Sequence, residues 1–160
     1  MTVWGALAGG FAGTFVLTLT LRVASELGLT RMDIPLLLGC AFTANRTRAK
    51  AVGYVLHFAF GLLFALVYFA LFRAIDHSGW LLGGVFGLAH GLFAGTALVN
   101  IFLPLVHPRM GTPFTAAGES PLLEAPGFLL VNYGRRTAVV SLAAHVAYGV
   151  LVGGFTALSG

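Results

Sequence analysis

The most regular feature of this chain is the alternation of long apolar runs with short polar segments. Four runs carry almost no charged residue, and they cover residues 3–24, 51–72, 80–106 and 137–158. A helix needs about 20 mostly apolar residues to cross the hydrocarbon core of a bilayer. The pattern predicts an all-α polytopic membrane protein with four transmembrane helices, which we call spans 1 to 4. The first run lacks the basic region of a signal peptide and is too long for its apolar core, so we expect it to be span 1.

Composition places the chain in the same class. Its residues are 58% hydrophobic and 9% charged, whereas soluble domains carry about 25% charged residues. The net charge is +4, but the basic residues flank the spans, so we attribute the charge to membrane topology and not to nucleic-acid binding. Cys40 is the single cysteine, which excludes an intrachain disulfide and a thiolate metal cluster.

The basic residues lie almost entirely on one side of the predicted membrane. Eight of the nine Lys and Arg residues flank or follow spans 1 and 3, and Arg73 is the exception; the eight are Arg22, Arg31, Arg46, Arg48, Lys50, Arg109, Arg135 and Arg136. Loops rich in Lys and Arg stay in the cytoplasm. We therefore expect both long connecting segments in the cytoplasm and both termini outside, in a bacterial cytoplasmic membrane.

Four short motifs occur twice, in the same order. They are FAGT at 11–14 and 93–96, Arg-Met-x-x-Pro at 31–35 and 109–113, Asn followed by basic residues at 45–50 and 132–136, and His-x-Ala-Phe/Tyr-Gly at 57–61 and 145–149. The order predicts two tandem copies of a two-span unit, residues 1–75 and 76–160, within one membrane domain. Two spans per copy give parallel hairpins related by a pseudo-twofold axis along the membrane normal.

Glycines recur at every fourth position of spans 1 and 3, and they also follow the motif histidines. Small residues at this spacing let helix backbones approach closely in a bilayer. We expect spans 1 and 3 to make a tight contact near the axis. The glycines assigned to helix packing are Gly5, Gly9, Gly13, Gly61, Gly83, Gly87, Gly91, Gly95, Gly149 and Gly153.

The two connecting segments carry different signals. In the first, Arg31 precedes Asp33 and Pro35, a pattern that predicts a short helix capped by Asp33. In the second, Arg109 occupies the place of Arg31, and four prolines between 107 and 136 argue against one long helix. The apolar string GFLLVNYG at 127–134 is expected to rest on the membrane surface or tuck under the bundle.

Three histidines lie inside the spans, where ionisable side chains are costly and usually face a protein interior. His57 and His145 enter from the same side and are expected at matching depth as a symmetric pair. His90 lies nearer the midplane and has no twin, because Ala8 is at its repeat position.

Three roles for these histidines remain open. They could hydrogen-bond across helix contacts, with Thr14 and Thr96 as polar partners. They could ligate a haem or a metal ion through His57 and His145, with His90 as a third ligand. They could line a proton or solute path together with Asn100. The cofactor is unknown from sequence.

The sequence contains no catalytic signature. It has no Ser-His-Asp set, P-loop, HExxH or dinucleotide fingerprint, and no carboxylate lies within a span. The leading hypothesis is a small non-enzymatic protein of the lipid bilayer, an accessory or structural subunit that contacts other membrane proteins or further copies through its Gly-rich faces.

The strings RMDIPLLLG, HFAFG, HPRM and NYGRR together resemble a group of small four-span bacterial membrane proteins with no assigned function. The resemblance covers most of the chain. It implies the four-span fold and its topology, and it implies no catalytic or binding residue.

Overall fold

A computed structural model describes residues 1–110 and 123–160. In these residues four helices are long and apolar enough to cross a membrane: Val3–Glu26, Arg46–Ala74, Trp80–Val106 and Thr137–Leu158. A short helix, Ile34–Gly39, and a 3₁₀ segment, Phe128–Tyr133, lie in the connecting segments. The predicted all-α polytopic fold is therefore confirmed, and the chain is a multi-pass membrane protein.

Polar side chains just before the helices determine where these helices begin. The Asn45 side-chain oxygen accepts from the Arg48 N–H at 3.0 Å, so span 2 starts at Arg46 and not at residue 51. Asp33 Oδ1 accepts from the Leu36 N–H at 3.0 Å and caps the short helix, which has Pro35 in its first turn. Asp and Asn satisfy helix N–H groups that otherwise lack a partner.

Span 3 changes its helix type along its length. It is α-helical over Trp80–Phe93, π-helical over Ala94–Phe102 and α-helical again over Leu103–Val106. Pro104 has no N–H, and its ring crowds the carbonyl four residues earlier. The Asn100 amide donates to the carbonyls of Gly95 at 3.2 Å and Thr96 at 2.9 Å. The side chain thus satisfies backbone groups of the widened turn, which the apolar pattern did not predict.

Span 4 is the element on which the bundle is assembled. Spans 1 and 3 both pack along it, span 2 packs on span 1, and the short helix packs on span 2. Spans 1 and 3, both described over their full length, share no close-packed interface with each other, so the prediction of a tight contact between them is wrong. Periodic glycines indicate that another helix packs closely on that face, but they do not indicate which helix it is.

The glycine faces are occupied within the chain itself. A Cβ atom on Gly87 would lie 2.9 Å from the Cα of Val146, and one on Gly9 would lie 2.8 Å from the Cα of Val152. The same backbone contact with span 4 involves Gly5, Gly13 and Gly83, and on span 4 itself Gly149 and Gly153, whereas Gly91 faces the side chains of His145 and Leu142. Gly61 instead receives Thr14 of span 1, and Gly95 lies against the 3₁₀ segment.

Both arginines of the repeated Arg-Met motif bond carbonyls in a connecting segment. The Arg31 guanidinium donates to the Asn132 carbonyl and lies 3.3 Å from the Glu124 carboxylate. The Arg109 guanidinium donates to the Cys40 carbonyl at 2.8 Å. Each arginine therefore reaches into the connecting segment of the other half of the chain, and the pseudo-twofold relation of the two halves stays a prediction.

The described part of the second connecting segment packs against the end of the bundle at which spans 1 and 3 end. Leu130 is only 2% exposed and shares a buried cluster with the motif residues Met32 and Met110. Leu129 and Leu130 have φ of 50° and 64°, a strained region for residues with a side chain. The expected counterpart of the Asp33 cap, at residues 112–113, lies outside the described residues.

Matched glycine substitutions test whether the interface between spans 3 and 4 holds the fold. Gly87→Ala places a methyl group on the span 4 backbone, whereas at Gly84 the new methyl group meets only valine methyl groups, at 3.3 and 3.9 Å. We expect Gly87→Ala to lower the free energy of unfolding by about 1–3 kcal/mol and Gly84→Ala to leave it unchanged or raise it. Thermal unfolding in mild detergent measures both, and equal stability of the two variants would contradict the packing argument.

Candidate functional site

A cavity of about 240 Å³ lies inside the bundle, where spans 2, 3 and 4 face one another. It exists because spans 2 and 3 lack the close backbone contact that span 4 makes with its neighbours. Aromatic side chains bridge the wider gap, among them Phe72 and Phe86 with ring centroids 5.2 Å apart. Thr14 and Leu17 of span 1 complete the wall, and Leu37 and Leu130 contribute from the connecting segments.

All three intramembrane histidines line this cavity. The ring contact joins His90 and His145, whose centroids are 4.9 Å apart at 77°. The reason is the close approach of spans 3 and 4, since a Cβ on Gly91 would lie only 3.0 Å from the Cβ of His145. The structure thus brings His145 into contact with His90, which has no counterpart in the other sequence repeat. His57 lines the same cavity from span 2.

His145 is hydrogen-bonded within its own helix. Its Nδ1 lies 2.7 Å from the Ser141 carbonyl oxygen. A carbonyl can only accept, so Nδ1 carries the hydrogen and the neutral ring keeps a lone pair on Nε2. The side chain is 6% exposed. His145 is therefore a buried imidazole with one nitrogen satisfied by the backbone.

His90 lies at the centre of an aromatic cluster. Its ring stacks on Phe64 at 3.9 Å, and Tyr68 and Tyr148 approach edge-on at 6.0 and 5.8 Å. The Tyr68 hydroxyl lies 3.3 Å from His90 Nδ1. This hydrogen bond and the stacking hold the ring of span 3 against span 2 across the gap.

His57 differs from the other two. Its Nε2 atom is buried, and no hydrogen-bond partner for it exists in the described part of the chain. The nearest ring is that of its neighbour Phe58, edge-on at 6.3 Å. A buried polar atom without a partner costs about 1–3 kcal/mol, and native proteins contain few of them.

Two tyrosines of the site were not singled out from sequence. Tyr148 donates its hydroxyl to the Gly61 carbonyl at 2.5 Å, which ties span 4 to span 2 beside the cavity. Tyr68 holds His90, as described above. Both lie in apolar runs, and the signal that could have identified them is that a buried tyrosine usually needs a partner for its hydroxyl.

Of the three polar residues predicted near the histidines, Thr14, Thr96 and Asn100, only Thr14 lines the cavity. Its hydroxyl donates to the Gly10 carbonyl at 2.7 Å. Thr96 donates to the Leu92 carbonyl at 2.6 Å, and Asn100 bonds the π-helical backbone. Neither Thr96 nor Asn100 is part of the lining. The π-helical turn explains this placement of Asn100, because its amide is needed by the backbone there.

A shallow cleft of about 40 Å³ adjoins the cavity at the basic end, where span 1 ends and span 2 begins. His57, Met32 and Ile34 line both spaces. The charged groups around the cleft are paired: Arg22 with Glu26 at 2.5 Å, and Lys50 with Asp33 at 2.7 Å. His57 therefore lies between an apolar interior and a cleft whose charges are balanced.

The donor set of the site suits hydrogen bonding better than metal ligation. Across residues 1–110 and 123–160, no three His, Cys, Asp or Glu side chains are grouped so that they could hold a metal ion. The polar groups on the cavity are imidazole, phenol and hydroxyl, set in a wall of Leu, Phe and Val side chains. Such a wall can hold a neutral molecule and orient it through few polar contacts.

No family model, curated protein or solved structure matches this chain. The site is therefore interpreted from its own geometry. The resemblance to small four-span bacterial membrane proteins stays a prediction.

Removing the Tyr148 hydroxyl tests the link between spans 4 and 2. Tyr148→Phe keeps the ring and deletes the bond to the Gly61 carbonyl, so we expect a loss of about 0.5–1.5 kcal/mol in the free energy of unfolding. Tyr54→Phe is the matched control, because Tyr54 is 42% exposed. Detergent unfolding followed by tryptophan fluorescence measures both, and an unchanged Tyr148→Phe protein would show that the bond contributes nothing.

Proposed function

We propose that this protein binds a small apolar molecule of the lipid phase in the cavity between spans 2, 3 and 4. The observation that carries the proposal is the cavity itself, about 240 Å³ of apolar space with three imidazoles on its wall. An apolar cavity of about 150 Å³ is large enough to bind benzene. The space here suits a somewhat larger molecule, of the size of a two-ring aromatic compound.

The size of the cavity argues for an occupant. Protein interiors are close-packed and contain few voids larger than a water molecule. Side chains that line a space of about 240 Å³ lack contact partners on one side. A ligand that fills the space supplies these contacts.

The position of Phe60 supports entry from the bilayer. Phe60 lines the cavity and is also 44% exposed on the outside of the bundle. It lies on span 2, at the gap that close packing does not seal. We expect a molecule dissolved in the hydrocarbon core to enter the cavity beside Phe60 without crossing water.

The accessory-subunit hypothesis named the Gly-rich helix faces as its contact surface. The glycine faces of spans 1 and 3 are covered by span 4, so they offer no surface to a second protein. Contacts with other membrane proteins or with further copies remain a prediction, as does the absence of enzymatic activity. For haem, the observed ring contact of His145 is with His90, which supplies no support for a pair of axial imidazoles from His57 and His145.

Two alanines of span 3 provide a matched test of ligand binding. Ala94 is 9% exposed and lines the cavity, whereas Ala89 is exposed. We expect Ala94→Phe to fill the cavity, abolish saturable binding of naphthalene and raise the thermal stability of the protein. Ala89→Phe should change neither. Equilibrium dialysis of protein-containing against empty lipid nanodiscs measures the binding, and equal binding by wild type and Ala94→Phe would refute the proposal.

We also propose that the basic end faces the cytoplasm of a bacterial cell, on the charge distribution described above. Single cysteines at Ala44, beside the basic end, and at His77, in the opposite turn, test it in a Cys40→Ala background; both positions are exposed. A membrane-impermeant maleimide should label the His77→Cys protein in intact cells and the Ala44→Cys protein only after permeabilisation. The reverse labelling pattern would invert the topology.

A further inference from the structure

The three imidazoles on the cavity differ in how their hydrogen-bonding capacity is used. His145 Nδ1 donates to the Ser141 carbonyl, and His90 Nδ1 is bonded to the Tyr68 hydroxyl. His57 Nε2 has no partner among the described residues although it is buried. His57 lines the cavity as a residue, so an incoming molecule with a polar group can supply the hydrogen bond that its imidazole lacks.

Two threonine hydroxyls that share the cavity and the cleft with His57 donate to carbonyls of their own helix. Thr14 donates to the Gly10 carbonyl at 2.7 Å, and Thr18 donates to the Thr14 carbonyl at 2.7 Å. These bonds occupy the donor hydrogens of both threonines, which line the cavity and the cleft respectively. Neither threonine therefore donates to His57, and Nε2 has no partner among the described residues.

The balance of charge around His57 points to a neutral molecule. The nearest ionic groups form two pairs, Arg22 with Glu26 and Lys50 with Asp33. No span contributes a carboxylate to the cavity lining in the described residues. A charged head would have to break one of these pairs or enter an apolar space unpaired, and either costs more than a neutral hydrogen-bonding group.

We propose that the ligand of this cavity is an apolar molecule with one neutral hydroxyl or carbonyl oxygen, and that His57 selects it by hydrogen-bonding that oxygen. This inference rests on the proposed binding function. A neutral imidazole has one donor and one acceptor nitrogen, so it can serve either oxygen type. A site built around a buried polar group rejects an analogue that lacks the matching group, because the protein atom is then left unpaired.

Two probes that differ only in a hydroxyl group test the selection. Naphthalene and 2-naphthol are compared for saturable binding to the protein in lipid nanodiscs, with dialysis against empty nanodiscs to correct for partition into lipid. The Ala94→Phe protein, whose cavity is filled, measures binding elsewhere on the protein. We expect wild type to bind 2-naphthol at least about tenfold more tightly than naphthalene.

Substitutions of His57 then show which residue carries the preference. His57→Leu should bind both probes with equal affinity, and His57→Gln, which can still hydrogen-bond, should restore part of the preference for 2-naphthol. The thermal unfolding of each variant shows that it is folded, and His57→Leu should unfold at a temperature no lower than wild type, since the unpaired nitrogen is gone.

The outcomes separate this inference from the function on which it rests. Cavity-dependent binding of both probes without a preference, or a preference that persists in His57→Leu, overturns the role of His57 and leaves ligand binding intact. Binding that is the same in wild type and Ala94→Phe, or absent from both, overturns the ligand-binding function and this inference with it.

Discussion

The backbone contact of span 4 with spans 1 and 3 is the interaction on which the rest of the structure depends. Apolar side chains gain nothing from burial when the alternative is lipid, so helices associate through close van der Waals packing, for which glycine is suited. Gly9 and Gly87 bring two helices onto span 4. Span 2 has no such contact with span 3, and the cavity is the space that this asymmetry leaves. The same packing places His145 against Gly91, and hence against His90.

Polar groups inside the bundle are satisfied mostly by the backbone of their own helix. Thr14, Thr156 and Asn100 all donate to carbonyls about one turn earlier, and His145 does the same. In a medium without water this is the nearest source of acceptors. His57 departs from the rule, and it does so on the wall of the cavity. The coincidence of unused polar capacity and unfilled space supports a binding function.

The repeated motifs contribute differently to the site. Arg31 and Arg109 each donate to a backbone carbonyl in the connecting segment of the other half of the chain. In the histidine motif, however, the second copy has Tyr148, whose hydroxyl bonds Gly61 of the first copy. The first copy has Phe60 at that position, which cannot return the bond and instead lies at the edge of the cavity. The Tyr148 hydroxyl thus joins the two histidine motifs by one bond, and no matching bond forms from Phe60.

The sequence by itself determined the four spans and the presence of three histidines within them, because hydrophobic length is a local property of a chain. It also indicated which faces would be packed closely. Only the tertiary structure decided that spans 1 and 3 meet span 4, that His90 contacts His145, and that Thr96 and Asn100 lie away from the cavity. These choices depend on which backbones fit together and on the π-helical turn before Pro104, and no single segment contains that information.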